Sequence, residues 1–364
     1  MPTFKQTERA RAIQRGLAFI YDIARDPAHF ADYGSDLLNC FSLIANTSLD
    51  PELRRTARRM GRERARVWRH DYAQLPPDAD ADTILDFMHG SYAADKLGVR
   101  SPTLKAQLRA AARNFPAHDY LMFEPRHEPP PEDVPEQCAG CRHWHARGRK
   151  TCRRCRQPLE MMTRYGVWYD ALNRLYTATR YGIALGARYE DVLRWLPTLR
   201  PYRGRARDTN PDFYDSIYAV THLVYTLNDF SRYRLDPRWL PHEFEFLQKN
   251  VKTAIAMDDP EMVGELLDTL KSFGLTAADP PVRMGLEYLL AQQNEDGSWG
   301  YMDTDDIYAR YHPTWTAIDG LRDYAWQGMR LSFQRFAPAL ARVSAGAPPP
   351  NTRATGRARK SASK

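Results

Sequence analysis

Apolar residues recur along this chain at the spacing of amphipathic helices, and the alternation that marks half-buried strands hardly occurs. Ile13, Leu17, Phe19, Ile20 and Ile23 give Thr7 to Ile23 an apolar stripe, and Asp36 to Ile44 reads as a buried helical stretch. Asp50-Pro51-Glu52 has the form of a helix start, with an acidic cap, proline in the first turn and a carboxylate near the amino end. Pro76-Pro77-Asp78 breaks the pattern, and Thr83 to Phe87 and Pro102 to Arg113 resume it. From Phe115 to Pro135 the chain becomes rich in proline and acid, which predicts an irregular connection. Helical spacing then returns over Met161 to Thr179, Tyr189 to Trp195, Phe213 to Leu227 and Glu243 to Ile255. It continues over Pro260 to Phe273, Pro281 to Gln292 and Thr314 to Trp326.

Short Pro/Gly turns between such segments predict an all-α domain of helical hairpins over residues 1–343, interrupted by a small insertion at 136–158. An open helical solenoid is the rival architecture, but no exact short repeat is visible. Residues 344–364 are proline-rich and then basic, and are expected to be a disordered tail.

Composition narrows the picture. With 364 residues and 43% hydrophobic content, the chain can bury a large core. Its formal net charge is +7, concentrated around Arg142 to Arg156 and Arg353 to Lys364. Away from those stretches the charge is nearer balance, so whole-chain charge is weak ground for nucleic-acid binding. Met1 to Glu8 lack the apolar core of a signal peptide, and no run approaches the roughly 18 apolar residues of a membrane span. Four of the five cysteines form CxxC pairs, with Cys40 left over, a usage that suits a reducing compartment. The expectation is a soluble, cytoplasmic protein.

Cys138-Ala139-Gly140-Cys141 and Cys152-Arg153-Arg154-Cys155 are separated by ten residues. Two such turns present four thiolates tetrahedrally, the arrangement that suits structural Zn²⁺. His143 and His145 are rival ligands, although four cysteines already complete a closed site. Full thiolate coordination leaves no open position, so the metal is expected to staple the insertion rather than catalyse. The arginines around the knuckle, with Trp144 among them, allow phosphate binding or a protein partner. The blander reading is a solvated basic rim.

Phe213, Ile217, Val220, Val224 and Leu227 form one apolar stripe, and Asp215, His222 and Asp229 lie on the other side. Tyr218 and Thr226 flank them. A polar face mixing His, Asp, Tyr and Thr without Lys or Glu resembles a cavity wall more than a solvent face. Later, His312 and Asp319 repeat the seven-residue interval, with Thr316 between and Trp315 beside them. Aligning 221–229 with 311–319 keeps His, Thr and Asp at matching offsets, as an internal duplication would. The four residues could hold a second divalent metal, Zn²⁺ or Fe²⁺, or act as proton donors and acceptors. They could equally be satisfied core groups, with His312 capping its helix ahead of Pro313.

Gln292-Gln293-Asn294-Glu295-Asp296-Gly297-Ser298-Trp299-Gly300 ends one helix in a Gly-rich aromatic turn, and Asp303-Thr304-Asp305-Asp306 follows. This stretch resembles the α/α-toroid proteins, especially squalene–hopene cyclases, class II terpene cyclases and protein prenyltransferase β subunits. The first run is similar to the QW motif that ties outer to inner barrel helices, carried here by Gln292 or Gln293, Gly297 and Trp299. The second is similar to the DxDD motif, in which the middle aspartate protonates an alkene or epoxide. That role would fall to Asp305.

The resemblance implies an α/α toroid and a central pocket for a largely apolar or aromatic small molecule. Acid-initiated cyclisation or isomerisation would use Asp305 as acid, with His222, Asp229, His312 and Asp319 as positioning groups. Tyr218, Tyr225, Tyr311 and Trp315 would supply aromatic faces to a developing cation. The alternatives are a metal-dependent enzyme using the His/Asp pocket, and a non-catalytic scaffold for a peptide or lipid.

Overall fold

The computed structural model describes residues 4–141, 143–202 and 211–344. Arg142 and, of the tail expected at 344–364, residues 345–364 lie outside the described residues, while Ser344 ends the last helix. The first helices are α1 (Phe4–Arg25), α2 (Pro27–Thr47), α3 (Pro51–Asp71), α4 (Ala81–Lys96), α5 (Pro102–Ala111) and α6 (Ala117–Leu121). A two-stranded antiparallel ladder, β1 (Val134–Pro135) and β2 (Met161–Met162), closes the neck of the cysteine insertion. There follow α7 (Arg164–Tyr181), α8 (Tyr189–Leu193), α9 (Leu196–Leu199), α10 (Pro211–Asn228) and α11 (Pro241–Ala256). The last are α12 (Pro260–Ser272), α13 (Pro280–Ala291), α14 (Tyr308–Leu321) and α15 (Ala337–Ser344). The expected all-α class is what the structure has.

Many helices begin as the sequence dictates. Asp26, Asp50 and Asp259 accept backbone N–H groups ahead of Pro27, Pro51 and Pro260, satisfying donors that the first turn leaves open. The stripe Phe213, Ile217, Val220, Val224 and Leu227 is buried throughout. Helix α14 differs from expectation. It starts six residues before Thr314 and stops at Leu321, and Pro313 sits inside it. His312 is therefore a helical residue rather than a cap.

Six helices contact one another in order: α2 with α4, α4 with α7, α7 with α10, α10 with α12, α12 with α14, and α14 with α2. Outside them, α1 packs on α2 and α14, α3 on α2 and α4, and α11 and α13 on α12. The α12–α14 crossing is close, because Gly264 faces the backbone of Thr316 and Gly320 faces Gly264.

The QW-like turn binds three elements together. The Trp299 indole is fully buried and donates to Leu289 O at 2.7 Å, while its backbone N–H donates to Thr314 Oγ1 at 2.9 Å. Gln293, not the exposed Gln292, makes the tie: its Nε2 donates to Ala12 O and Gly297 O, both at 2.9 Å. Gly297 has φ +93°, and a Cβ there would stand 2.9 Å from Arg15 O, so both the turn and the approach of α1 require glycine.

Candidate functional site

A cavity of about 370 Å³ opens among α2, α4, α7, α10, α12 and α14. Its charged and imidazole groups are Asp36, His89, Lys96, Asp170, His222, Glu261 and His312, and its aromatic walls include Tyr169, Tyr218, Phe230, Tyr308 and Trp315. A smaller chamber of about 60 Å³ shares His222, Phe230, His312 and Trp315 with it and adds Tyr225, Glu265, Asp268, Thr316, Asp319 and Arg322.

The centre of the site is a pair on α12 and α14. His312 Nδ1 stands 3.0 Å from Glu261 Oε1, and the same oxygen accepts from Tyr218 Oη at 2.9 Å. Burial disfavours charge on His312, but the Glu261 carboxylate overrides it and raises the imidazole to about 9. Burial pushes Glu261 the other way, and the facing imidazolium outweighs it, holding the carboxylate below its ordinary range. His222 is lowered to about 3, first by burial and then by the charge on His312. Two histidines at one cavity thus differ in protonation, the environment assigning charge to one and neutrality to the other. Each lies against a tyrosine, His312 on Tyr308 and His222 on Tyr169, both with ring centroids 4.8 Å apart.

On other walls burial makes the carboxyls stronger bases than exposed ones. Burial raises Asp36, which accepts from Tyr311 Oη at 2.8 Å, and burial raises Asp170, 3.1 Å from Arg174 Nη2. Below them, burial raises Glu265 to about 8; it accepts from the Thr221 hydroxyl and lies 3.9 Å from His222 Nε2. Burial likewise lowers His89 to about 4 and Lys96 to about 8.

The structure brings His222, His312, Tyr218 and Trp315 to the main cavity, and Tyr225 and Asp319 to the chamber beneath it. Tyr311 is fully buried behind the wall on Asp36. The two aspartates of the repeated interval part company. Asp319 accepts from Arg322 Nε at 2.6 Å, whereas Asp229 is clamped by Tyr176 Oη and by Arg180 Nη2 at 2.5 Å and is not among the lining residues of either cavity. Asp305 is exposed and lines neither cavity. The acidic run instead starts α14: Thr304 Oγ1 accepts from Asp306 N at 3.1 Å, and Asp306 Oδ1 from Tyr308 N at 3.0 Å. The acid role expected of Asp305 therefore finds no wall to act from.

Among the described residues, the only group of three or more His, Cys, Asp and Glu side chains close enough to share a metal is the four cysteines. A second metal on His222, His312, Asp229 and Asp319 has no such cluster. The sulfurs of Cys138, Cys141, Cys152 and Cys155 lie within 4.8 Å of one another, with Cys138–Cys155 and Cys141–Cys152 at 3.4 Å. Zn–S bonds of about 2.3 Å would set tetrahedral sulfurs about 3.8 Å apart, so the set can hold a metal ion. The backbone N–H groups of Arg154 and Cys155 point to Cys152 Sγ at 3.3 and 3.4 Å, as thiolate acceptors require.

Sequence reasoning missed Glu261, Asp36, Asp170 and Phe230. Glu261 follows Asp259-Pro260 and so looks like an ordinary first-turn carboxylate. Phe230 enters the cavity through a left-handed run, Asp229, Phe230 and Ser231 with φ of 60°, 48° and 62°. Such backbone costs roughly 1–3 kcal/mol per residue. It is offset by Ser231 Oγ donating to Asp268 at 2.6 Å and Phe230 N to Tyr225 O at 2.8 Å.

Comparisons with protein-family models, curated proteins and solved structures find no match for the chain. Among the described residues, no helix is long and apolar enough to cross a membrane.

Proposed function

We propose that this chain is an α/α toroid whose central cavity is the active site of an acid–base enzyme for a small molecule bearing both polar groups and a flat or apolar face. The observation that carries the reading is the His312–Glu261 pair at 3.0 Å, set in the cavity beside a neutral His222. Support for the toroid is the cyclic order in which α2, α4, α7, α10, α12 and α14 contact one another.

In this reading His312, kept charged by Glu261, donates a proton to the substrate. Asp170 on α7, three places away in that order, has a burial-raised pKa that suits it to accept one. Tyr218 positions Glu261, and Tyr169, Tyr308 and Trp315 stack on the substrate's flat face. A wall with Asp36, Asp170, Glu261 and Lys96 favours a more polar substrate than the terpene-cyclase resemblance implies. The metal of the cysteine site is zinc, and its role is structural.

The test incubates the full chain with a mixture of small polar and aromatic metabolites and follows consumption by mass spectrometry. Conversion by the wild type, lost in His312→Gln and Asp170→Asn and kept in Asp305→Asn, is the expected result. Binding without conversion would favour the scaffold alternative. Loss of conversion in Asp305→Asn alone would restore the cyclase-like assignment.

A further inference from the structure

The cysteine insertion holds chemistry that the cavity does not use. Over residues 136–158 there are seven Lys and Arg against one carboxylate, Glu136, while the whole chain has a net charge of only +7. Four thiolates around a divalent ion subtract about two charges and still leave the module strongly basic. Two of its arginines are engaged or sheltered: Arg147 pairs with Asp133 at 2.5 Å and with Glu128 at 3.1 Å, and Arg149 is half-buried. Lys150, Arg153, Arg154 and Arg156 are exposed, and no carboxylate among the described residues forms an ion pair with them. On the same small module Trp144 is 37% exposed, an unusual place for a large ring in a unit whose core is Cys138, Cys152 and Leu159.

The module is also tied in place, so its exposed groups are held ready for a partner. The β1–β2 ladder closes its neck, Gly148 N donates to Asp133 O at 2.7 Å, and Leu159 N donates to Lys150 O at 3.1 Å.

We infer that this insertion is a docking surface for single-stranded nucleic acid, with Lys150, Arg153, Arg154 and Arg156 on backbone phosphates and Trp144 stacked on an unpaired base. Exposed cations alone would suit any polyanion. The exposed indole on the same module selects the partner, since every base offers a face to stack on and carboxylate side chains do not. The inference does not depend on the reaction assigned to the cavity.

The experiment measures fluorescence anisotropy of a labelled single-stranded oligonucleotide with the full zinc-loaded chain, beginning at about 50 mM salt. Binding is expected to weaken with a log–log salt slope of about −2 to −3, as four phosphate contacts dictate. Trp144→Ala should weaken it roughly ten-fold, the loss of one base stack. Arg153→Gln with Arg154→Gln should lower both affinity and slope, with metal content measured to show that the knuckle is intact. Should that pair lose metal, Lys150→Gln with Arg156→Gln serves in its place. Absence of binding overturns the inference. So does equal competition by poly-glutamate of matched charge, which would assign the surface to an acidic polypeptide, or an unchanged affinity in Trp144→Ala.

Discussion

Gly264 of α12 lies against the main chain of Thr316 in α14 so closely that a Cβ at position 264 would stand 2.4 Å from the Thr316 carbonyl. That contact sets the separation of the two helices, and with it the distance between Glu261 and His312, one turn from the crossing on each helix. Backbone cannot yield as a flexible side chain can. Gly264→Ala should therefore destabilise the fold by roughly 2 kcal/mol, the cost of overpacking a close crossing, despite alanine's better helix propensity. Urea unfolding followed by circular dichroism measures it; a stabilised variant would contradict the close approach.

The Glu261–His312 pair predicts a pH window. His312 is raised from 6.5 to about 9, so its contribution is complete below 6.5 and is lost as pH rises through 9. Glu261 is lowered from 4.5, so its contribution is present above 4.5 and is lost as pH falls through its folded-state value. The stability gap between wild type and Glu261→Gln should be widest between pH 4.5 and 6.5 and should close by pH 10, over a span of about 3 kcal/mol. Denaturant midpoints across that range read it directly. A gap constant with pH would mean that the two groups are not paired.

The turn at Gln293 to Trp299 should be worth more through its indole than through its amide. Trp299→Ala removes a fully buried ring and its bond to Leu289 O, for an expected loss of about 3–5 kcal/mol. Gln293→Ala leaves Ala12 O and Gly297 O without this donor and should cost about 1–2 kcal/mol. Gln292→Ala, at an exposed position, should be close to neutral. Melting temperatures of the three variants rank them.

Metal removal should act locally. The cysteine module has its own small cluster of Cys138, Cys152 and Leu159, separate from the main core. Metal analysis should find about one zinc per chain. Chelation or Cys152→Ser should free that ion while leaving the far-ultraviolet helical signal almost unchanged. Collapse of the helical signal on chelation would show that the insertion staples the whole domain.

Much of this protein can be read from the order of its residues, because the signals involved are local. Helical apolar spacing, Asp-Pro starts and the paired CxxC turns each act within one or two turns of chain, and the corresponding helices, caps and sulfur cluster are present. The QW-like run was legible as a tie, although its choice between Gln292 and Gln293 was not: adjacent glutamines differ only in which one meets Ala12, 281 residues away. His222 and His312 were found through a repeated interval, and they do share a cavity. For Asp229 the same interval does not lead to the cavity, because its partner is Arg180 of α7, and Tyr311, expected as an aromatic face of the pocket, instead donates to Asp36 of α2.

The residue order alone thus determined most of the helices, many of their starts and the four-cysteine cluster that could hold a metal ion, since each depends on neighbours along the chain. Only the tertiary structure decided which carboxylates face the histidines, and that Asp305 stays in solvent while Glu261 does not. The physical reason is that burial and charge pairing belong to the space between helices: the same carboxyl group is a surface cap or a buried partner according to what packs across from it.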